Sequence, residues 1–247
     1  LENVQSVIFF LQLKISLINN SKFNFMWILN SSIGRKLIMS ISGLFLILFL
    51  LFHMSMNVVA VFSVDAYNEV CEFLGVNWYA LVGTLVLVAG FVVHIVYASM
   101  LTLQNQKARG NQSYAYTDAP KEVKWASKNM FVLGAIVLGF AGLHLYQFWY
   151  KMMFAELVGM ESEAGGTLIK ELFASPVYSG LYLIWFAALW FHLTHGFWSA
   201  FQTIGLSNRT WLPRLKCIAN AFSTIIFIGF AIVVVYFYMI GNCSCAN

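Results

Sequence analysis

The run Leu-Ile-Met-Ser-Ile-Ser-Gly-Leu-Phe-Leu-Ile-Leu-Phe-Leu-Leu-Phe-His-Met-Ser-Met-Asn-Val-Val-Ala-Val-Phe-Ser-Val, residues 37–64, decides the fold. It carries no Asp, Glu, Lys or Arg over its whole length. At about 1.5 Å per residue a helix of this length crosses the about 30 Å of hydrocarbon in a bilayer. Four more uncharged stretches follow, at 78–103, 129–150, 177–204 and 218–240. Strands of a membrane barrel would be about ten residues long and alternating. Helices of the observed length satisfy their own backbone in lipid. The three prolines, Pro120, Pro176 and Pro213, fall between the stretches and read as connections. The expected fold is all-α, an integral membrane bundle of five transmembrane helices.

Composition agrees. Of 247 residues, 60% are hydrophobic and 10% charged, against about 25% charged in a soluble chain. That excludes an ordinary soluble domain, a disordered chain and a disulfide scaffold. The net charge of +4 does not point to nucleic acid, because the basic residues are scattered through short connections. Cys71 and Cys217 are isolated, and Cys243 and Cys245 lack metal-site spacing. Residues 1–25 read as an N-terminal extension, with an apolar centre too short to span. Residues 26–247 read as one five-helix domain.

Charge sets the orientation. The N-terminus and the connections at 104–128 and 205–217 share one side and hold twelve of the fourteen Lys and Arg residues; the other side keeps Lys151 and Lys170. That other side carries Asp65, Glu69, Glu72, Glu156, Glu161, Glu163 and Glu171. The N-terminus is therefore expected in the cytoplasm and the C-terminus outside. Trp78, Tyr79, Trp125, Trp149, Tyr150, Tyr178 and Trp211 stand near span ends, as interfacial anchors do.

All five histidines, His53, His94, His144, His192 and His195, lie within the spans, and the fifth span has none. Core histidines bonded to neighbouring helices would explain one or two of them. Ionisable side chains inside a membrane are rare and mark sites. Counted from the outer ends, His144 and His53 lie roughly 9 and 16 Å deep, and His94 and His192 roughly 24 and 21 Å. An outer pair, His53 with His144, thus separates from a deeper one, His94 with His192 or His195. Two imidazole pairs at two depths are what two bis-histidine haems require. Gly43, Gly83, Gly90, Gly134, Gly139, Gly142 and Gly196 offer small contacts for a planar macrocycle, although small residues also pack helices together. A proton-coupled transporter using intramembrane histidines, or a haem-free anchor, are the alternatives. A transporter calls for repeats and broken helices, and no proline interrupts a span.

The motifs are Ser-Ser-Ile-Gly-Arg-Lys (31–36), Phe-His-Met (52–54), Gly-Phe-Val-Val-His (90–94), Gly-Leu-His-Leu-Tyr (142–146) and Phe-His-Leu-Thr-His-Gly-Phe-Trp-Ser (191–199). Over about residues 26–240 the chain resembles the cytochrome b membrane-anchor subunits of succinate:quinone oxidoreductases, in their single-subunit, two-haem form. The resemblance implies two haems b, with His53 and His144 holding the outer one and His94 and His192 the inner. The family's His-x-x-x-Gly frame fits His192 with Gly196; His195 is the alternative ligand.

The resemblance further implies a subunit with no dicarboxylate chemistry of its own, in a bacterial cytoplasmic membrane. A flavoprotein subunit would act on the dicarboxylate, and an iron–sulfur subunit would dock on the basic cytoplasmic connections. Electrons would pass by the inner and then the outer haem to or from a quinone, menaquinone by analogy with the two-haem class. Quinone reduction consumes protons, so Glu69 and Glu72 are candidates for a quinone and proton site beside the outer haem, with a solvated acidic loop as the plainer alternative. Arg35, Lys36 and Arg209 are candidates for offsetting haem propionates.

Overall fold

The computed structural model describes Lys14 and residues 31–75, 77–109, 125–206 and 208–243. Apart from Lys14, the expected N-terminal extension lies outside the described residues, as do positions 110–124 of the basic connection. The described elements are all helical: α1 (Ser32–Phe62), α2 (Val64–Phe73), α3 (Trp78–Arg109), α4 (Trp125–Lys128) and α5 (Met130–His144), then a π-helical segment (Leu145–Phe154), α6 (Ala155–Leu157), α7 (Gly165–Ala174), α8 (Pro176–Thr203) and α9 (Trp211–Cys243). Five are long and apolar enough to cross a membrane: α1, α3, the continuous Met130–Leu157 run, α8 and α9. This is a multi-pass membrane protein.

The helices outrun the uncharged stretches because a backbone ladder continues where the side chains become polar. Ser31 caps α1, its hydroxyl accepting from Gly34 N at 2.9 Å. Ser63 closes α1 through its N–H to Val59 O and opens α2 by accepting from Ala66 N at 3.1 Å. Two prolines are not in connections as the sequence suggested. Pro176 is the first residue of α8 and Pro213 the third of α9, in first turns where no intrahelical N–H bond is lost.

The packed centre lies between α1, α8 and α9. Ile47, Met54 and Ala60 meet Tyr182, Trp185 and Phe186, and Ile226, Phe230, Val234 and Phe237 close the group. Gly229 lets α9 approach α1 closely, since a Cβ there would run into the Met54 side chain. Trp185 Nε1 donates to Val137 O at 3.2 Å, fastening α8 to α5. The second span, α3, differs: it packs chiefly on α1, and none of its described side chains is buried. Leu48, Phe52, Leu85, Val86, Ile184, Ile225 and Ile228 are exposed outward, where lipid replaces water as the solvent.

Two short helices cap the acidic end. α2 crosses the start of α7, where Gly166 N donates to Asn68 Oδ1 at 2.8 Å. Cβ atoms on Gly165 and Gly166 would strike Cys71 and Val64. Burial pushes both the Tyr67 hydroxyl and the Cys71 thiol up from their ordinary pKa values. The Lys151–Glu163 ion pair, 3.0 Å long, sits at the surface and contributes at most about 1 kcal/mol.

This crossing generates a prediction. Gly166→Val overpacks it and should destabilise the protein by about 1–3 kcal/mol, seen as a lower Tm in detergent. Gly83→Ala, where a Cβ meets nothing within 4 Å, should leave Tm unchanged or slightly raised, since Ala is favoured over Gly in a helix by about 0.5–1 kcal/mol.

Candidate functional site

The five intramembrane histidines do not cluster together. His53 on α1 faces His144 at the end of α5, with ring centroids 5.8 Å apart and planes at 82°. His94 on α3 faces His192 on α8, with centroids 6.4 Å apart and planes at 71°. Each pair therefore draws one ring from each of two helices. Among the described residues no group of three or more His, Cys, Asp or Glu side chains converges.

Aromatic side chains wall the outer pair. Phe49 stacks on His53 at 5.3 Å, one turn before it on α1, and Phe230 of α9 lies 5.8 Å away. Phe148, Trp185 and Tyr182 surround His144 at 5.0, 5.6 and 6.1 Å. Helix α9 has no histidine, yet it positions one. Its Phe230 touches His53, and Gly229 makes room for Met54 on the residue next to that histidine.

Hydrogen bonds distinguish the ring nitrogens. Tyr182 donates its hydroxyl to Gln147 Oε1 at 2.7 Å, and His144 Nδ1 stands 3.3 Å from the same hydroxyl oxygen. A phenol has one hydrogen. With it directed to Gln147, the oxygen is left as an acceptor, a partner for Nδ1–H in the tautomer of His144 that keeps its lone pair on Nε2. A longer version of the pattern occurs at His94. Ser42 Oγ donates to Met39 O at 3.0 Å, and His94 Nδ1 lies 3.5 Å from Oγ. Asn57 Nδ2 donates to His53 O at 2.8 Å and stands 3.5 Å from His53 Nε2. His192 Nδ1 is buried, and the ring has the Met130 backbone as its hydrogen-bonding neighbour.

Two of the seven glycines singled out in the sequence lie against the inner rings. An ideal Cβ on Gly43 would sit 3.3 Å from His94 Cε1, and one on Gly134 3.4 Å from His192 Cε1. Gly90 instead faces Phe45 and Gly196 faces Met130, while Gly83, Gly139 and Gly142 meet nothing within 4 Å. His195 stands apart from the pairs. Its ring lies edge-on to Trp198 at 4.9 Å, in a recess of about 190 Å³ shared with Trp125, Trp190, Thr194 and Asn220. Lys216 Nζ lies over Trp198 at 5.0 Å. Glu69 and Glu72 are exposed on α2, and among the described residues neither forms an ion pair. The structure does not bring them to His53 or His144. Arg35 Nε donates to Ser31 O at 3.4 Å.

Sequence reasoning passed over Tyr182, Gln147, Ser42 and Asn57. Depth held a signal for the first. Tyr182 follows Tyr178 by one turn, at the level reckoned for His144. Gln147 is a polar residue within a span, three positions after His144. The π-helical segment beginning at Leu145 had no such signal. Its wider turn directly follows His144, and π turns gather at functional sites. Tyr146, Tyr150 and Phe154 stack in sequence along it, at 5.6 and 5.3 Å.

The structure is thus a five-span helical membrane protein with two opposed imidazole pairs in its interior. The chain is similar to the succinate dehydrogenase cytochrome b558 subunit of Bacillus subtilis (strain 168), with 24% identity over 187 residues, 75% of this chain and 85% of that protein. That similarity supports the resemblance drawn from the motifs. No protein-family model matches the chain. No solved structure matches it either.

Proposed function

We propose that this chain is the cytochrome b membrane subunit of a succinate dehydrogenase or fumarate reductase, carrying electrons between an iron–sulfur subunit and membrane quinone with two bis-histidine haems b. The observation that carries the reading is the pairing of His53 with His144 and of His94 with His192 at 5.8 and 6.4 Å. Metal–imidazole bonds of about 2.0–2.1 Å on both sides of one ion put two ring centroids about 6 Å apart. Each pair supplies only two ligands, which suits an ion whose other positions are filled by a macrocycle. The space kept clear beside the inner rings by Gly43 and Gly134 fits the same use.

His53 and His144 would hold the outer haem, and His94 and His192 the inner. Between two nitrogen ligands a haem iron has no open position and exchanges single electrons. The chain's own part is to fix the rings and exclude water. Phe49 and Phe230 hold His53 from two helices, while Tyr182 and Trp185 hold His144.

The reading places the basic end in the cytoplasm of a bacterium, with the flavoprotein and iron–sulfur subunits docked there. Quinone, menaquinone in this proposal, would be handled at the acidic end, with Glu69 and Glu72 exchanging protons. Their exposure suits contact with water. His195, turned toward its own recess, is left free of ligation on this assignment.

Two measurements test the proposal. Pyridine haemochrome analysis of the purified protein should give two non-covalent b haems per chain, both low-spin. A preparation without haem bands overturns the cytochrome reading. Extraction from the native membrane in mild detergent should bring down a flavin-containing chain and an iron–sulfur chain in equal amounts. A protein that purifies alone and drives solute uptake in liposomes is a transporter instead.

A further inference from the structure

We infer that Tyr182 and Gln147 form a positioning device that fixes the tautomer of His144 and biases the outer iron toward its oxidised state, an inference that rests on the haem reading above. Three atoms in series carry it. The Tyr182 hydroxyl donates to Gln147 Oε1 at 2.7 Å and stands 3.3 Å from His144 Nδ1. Gln147 lies on the π-helical segment, three residues after His144, and Tyr182 comes from α8. One hydroxyl thus joins two turns of one span to a neighbouring helix.

Tyr182 has little freedom to do otherwise. It is 2% exposed. Phe173, Trp185 and Phe186 pack around its ring at 5.1, 5.5 and 5.9 Å. Its one hydrogen goes to an oxygen that can only accept, so its lone pairs face His144. Protonation of Nδ1 leaves Nε2 as the nitrogen available to a metal. The chain of bonds is also polarised: donating to Gln147 makes the hydroxyl oxygen a better acceptor, and the low surrounding dielectric strengthens both links. A ligating imidazole whose other N–H is drawn toward an acceptor is a more basic ligand. It favours the more highly charged iron.

The inner pair has no equivalent. His94 has the Met39 backbone and, at 3.5 Å, Ser42 Oγ as its neighbours, and His192 has the Met130 backbone; neither is held by a hydroxyl that donates onward to an amide. The effect of removing the device should therefore be confined to one haem, which makes the inner one an internal control.

The experiment is a redox titration of the purified complex, following each haem optically and by its low-spin resonance, in wild type, Tyr182→Phe and Gln147→Leu. Tyr182→Phe keeps the ring and its packing and removes the hydroxyl. At a fixed potential it should shift the outer haem about three- to tenfold toward the reduced form, tenfold being 59 mV for one electron, with haem content and the inner haem unchanged. Gln147→Leu should shift it in the same direction by less. An unshifted outer haem in Tyr182→Phe, or equal shifts in both haems, overturns the inference. If Tyr182→Phe loses the outer haem, Gln147→Leu decides. A shift there upholds the device, and no shift reduces Tyr182 to packing. A wild-type protein without haem would instead defeat the underlying functional reading.

Discussion

An imidazole taken into hydrocarbon brings one N–H and one lone pair, and each is costly if left unmet. This chain takes four such rings into its interior in opposed pairs, with no carboxylate in any of the five uncharged stretches to receive them. At His144 the Tyr182 hydroxyl stands 3.3 Å from Nδ1, in place to accept its N–H. The glycines against the inner rings, the aromatic walls around the outer ones and the polar residues behind them all follow from keeping these side chains in fixed positions.

The helices divide the task unequally. α1, α8 and α9 make the packed centre, and three of the four paired rings sit on α1, on α8 or on α5, which is fastened to α8 by Trp185. α3 is different: it has no buried side chain among its described residues, and His94 is its ring contact with α8. On the proposed function, ligation at the inner site would also tie this helix to the bundle, so that cofactor and fold support each other as in other metal-dependent assemblies.

Much of this was legible in the chain before any coordinates. Five uncharged runs marked the five spans, because lipid allows few alternatives. Counting residues from span ends separated His53 and His144 from the deeper histidines, because rise per residue converts position into depth. The same arithmetic left His192 and His195 unresolved. One turn of helix changes depth little and direction a good deal, so only the packing of α8 shows which ring meets His94 and which turns to Trp198. Gly43 and Gly134 were visible as small residues, but not as the two that face imidazoles. The caps α2 and α7 escaped notice because they are short and held by a tertiary contact, Gly166 on Asn68. The π-helical turn after His144 and the Gln147–Tyr182 bond depend on neighbours far away in sequence.

The central claim is that one haem belongs to His53 with His144 and the other to His94 with His192. Spectra of the four single alanine variants, recorded haem by haem, test it most directly. The account predicts that His53→Ala and His144→Ala each remove the same haem or make it high-spin, that His94→Ala and His192→Ala do so to the other, and that His195→Ala leaves both low-spin. Loss of one and the same haem in His53→Ala and His94→Ala would contradict it.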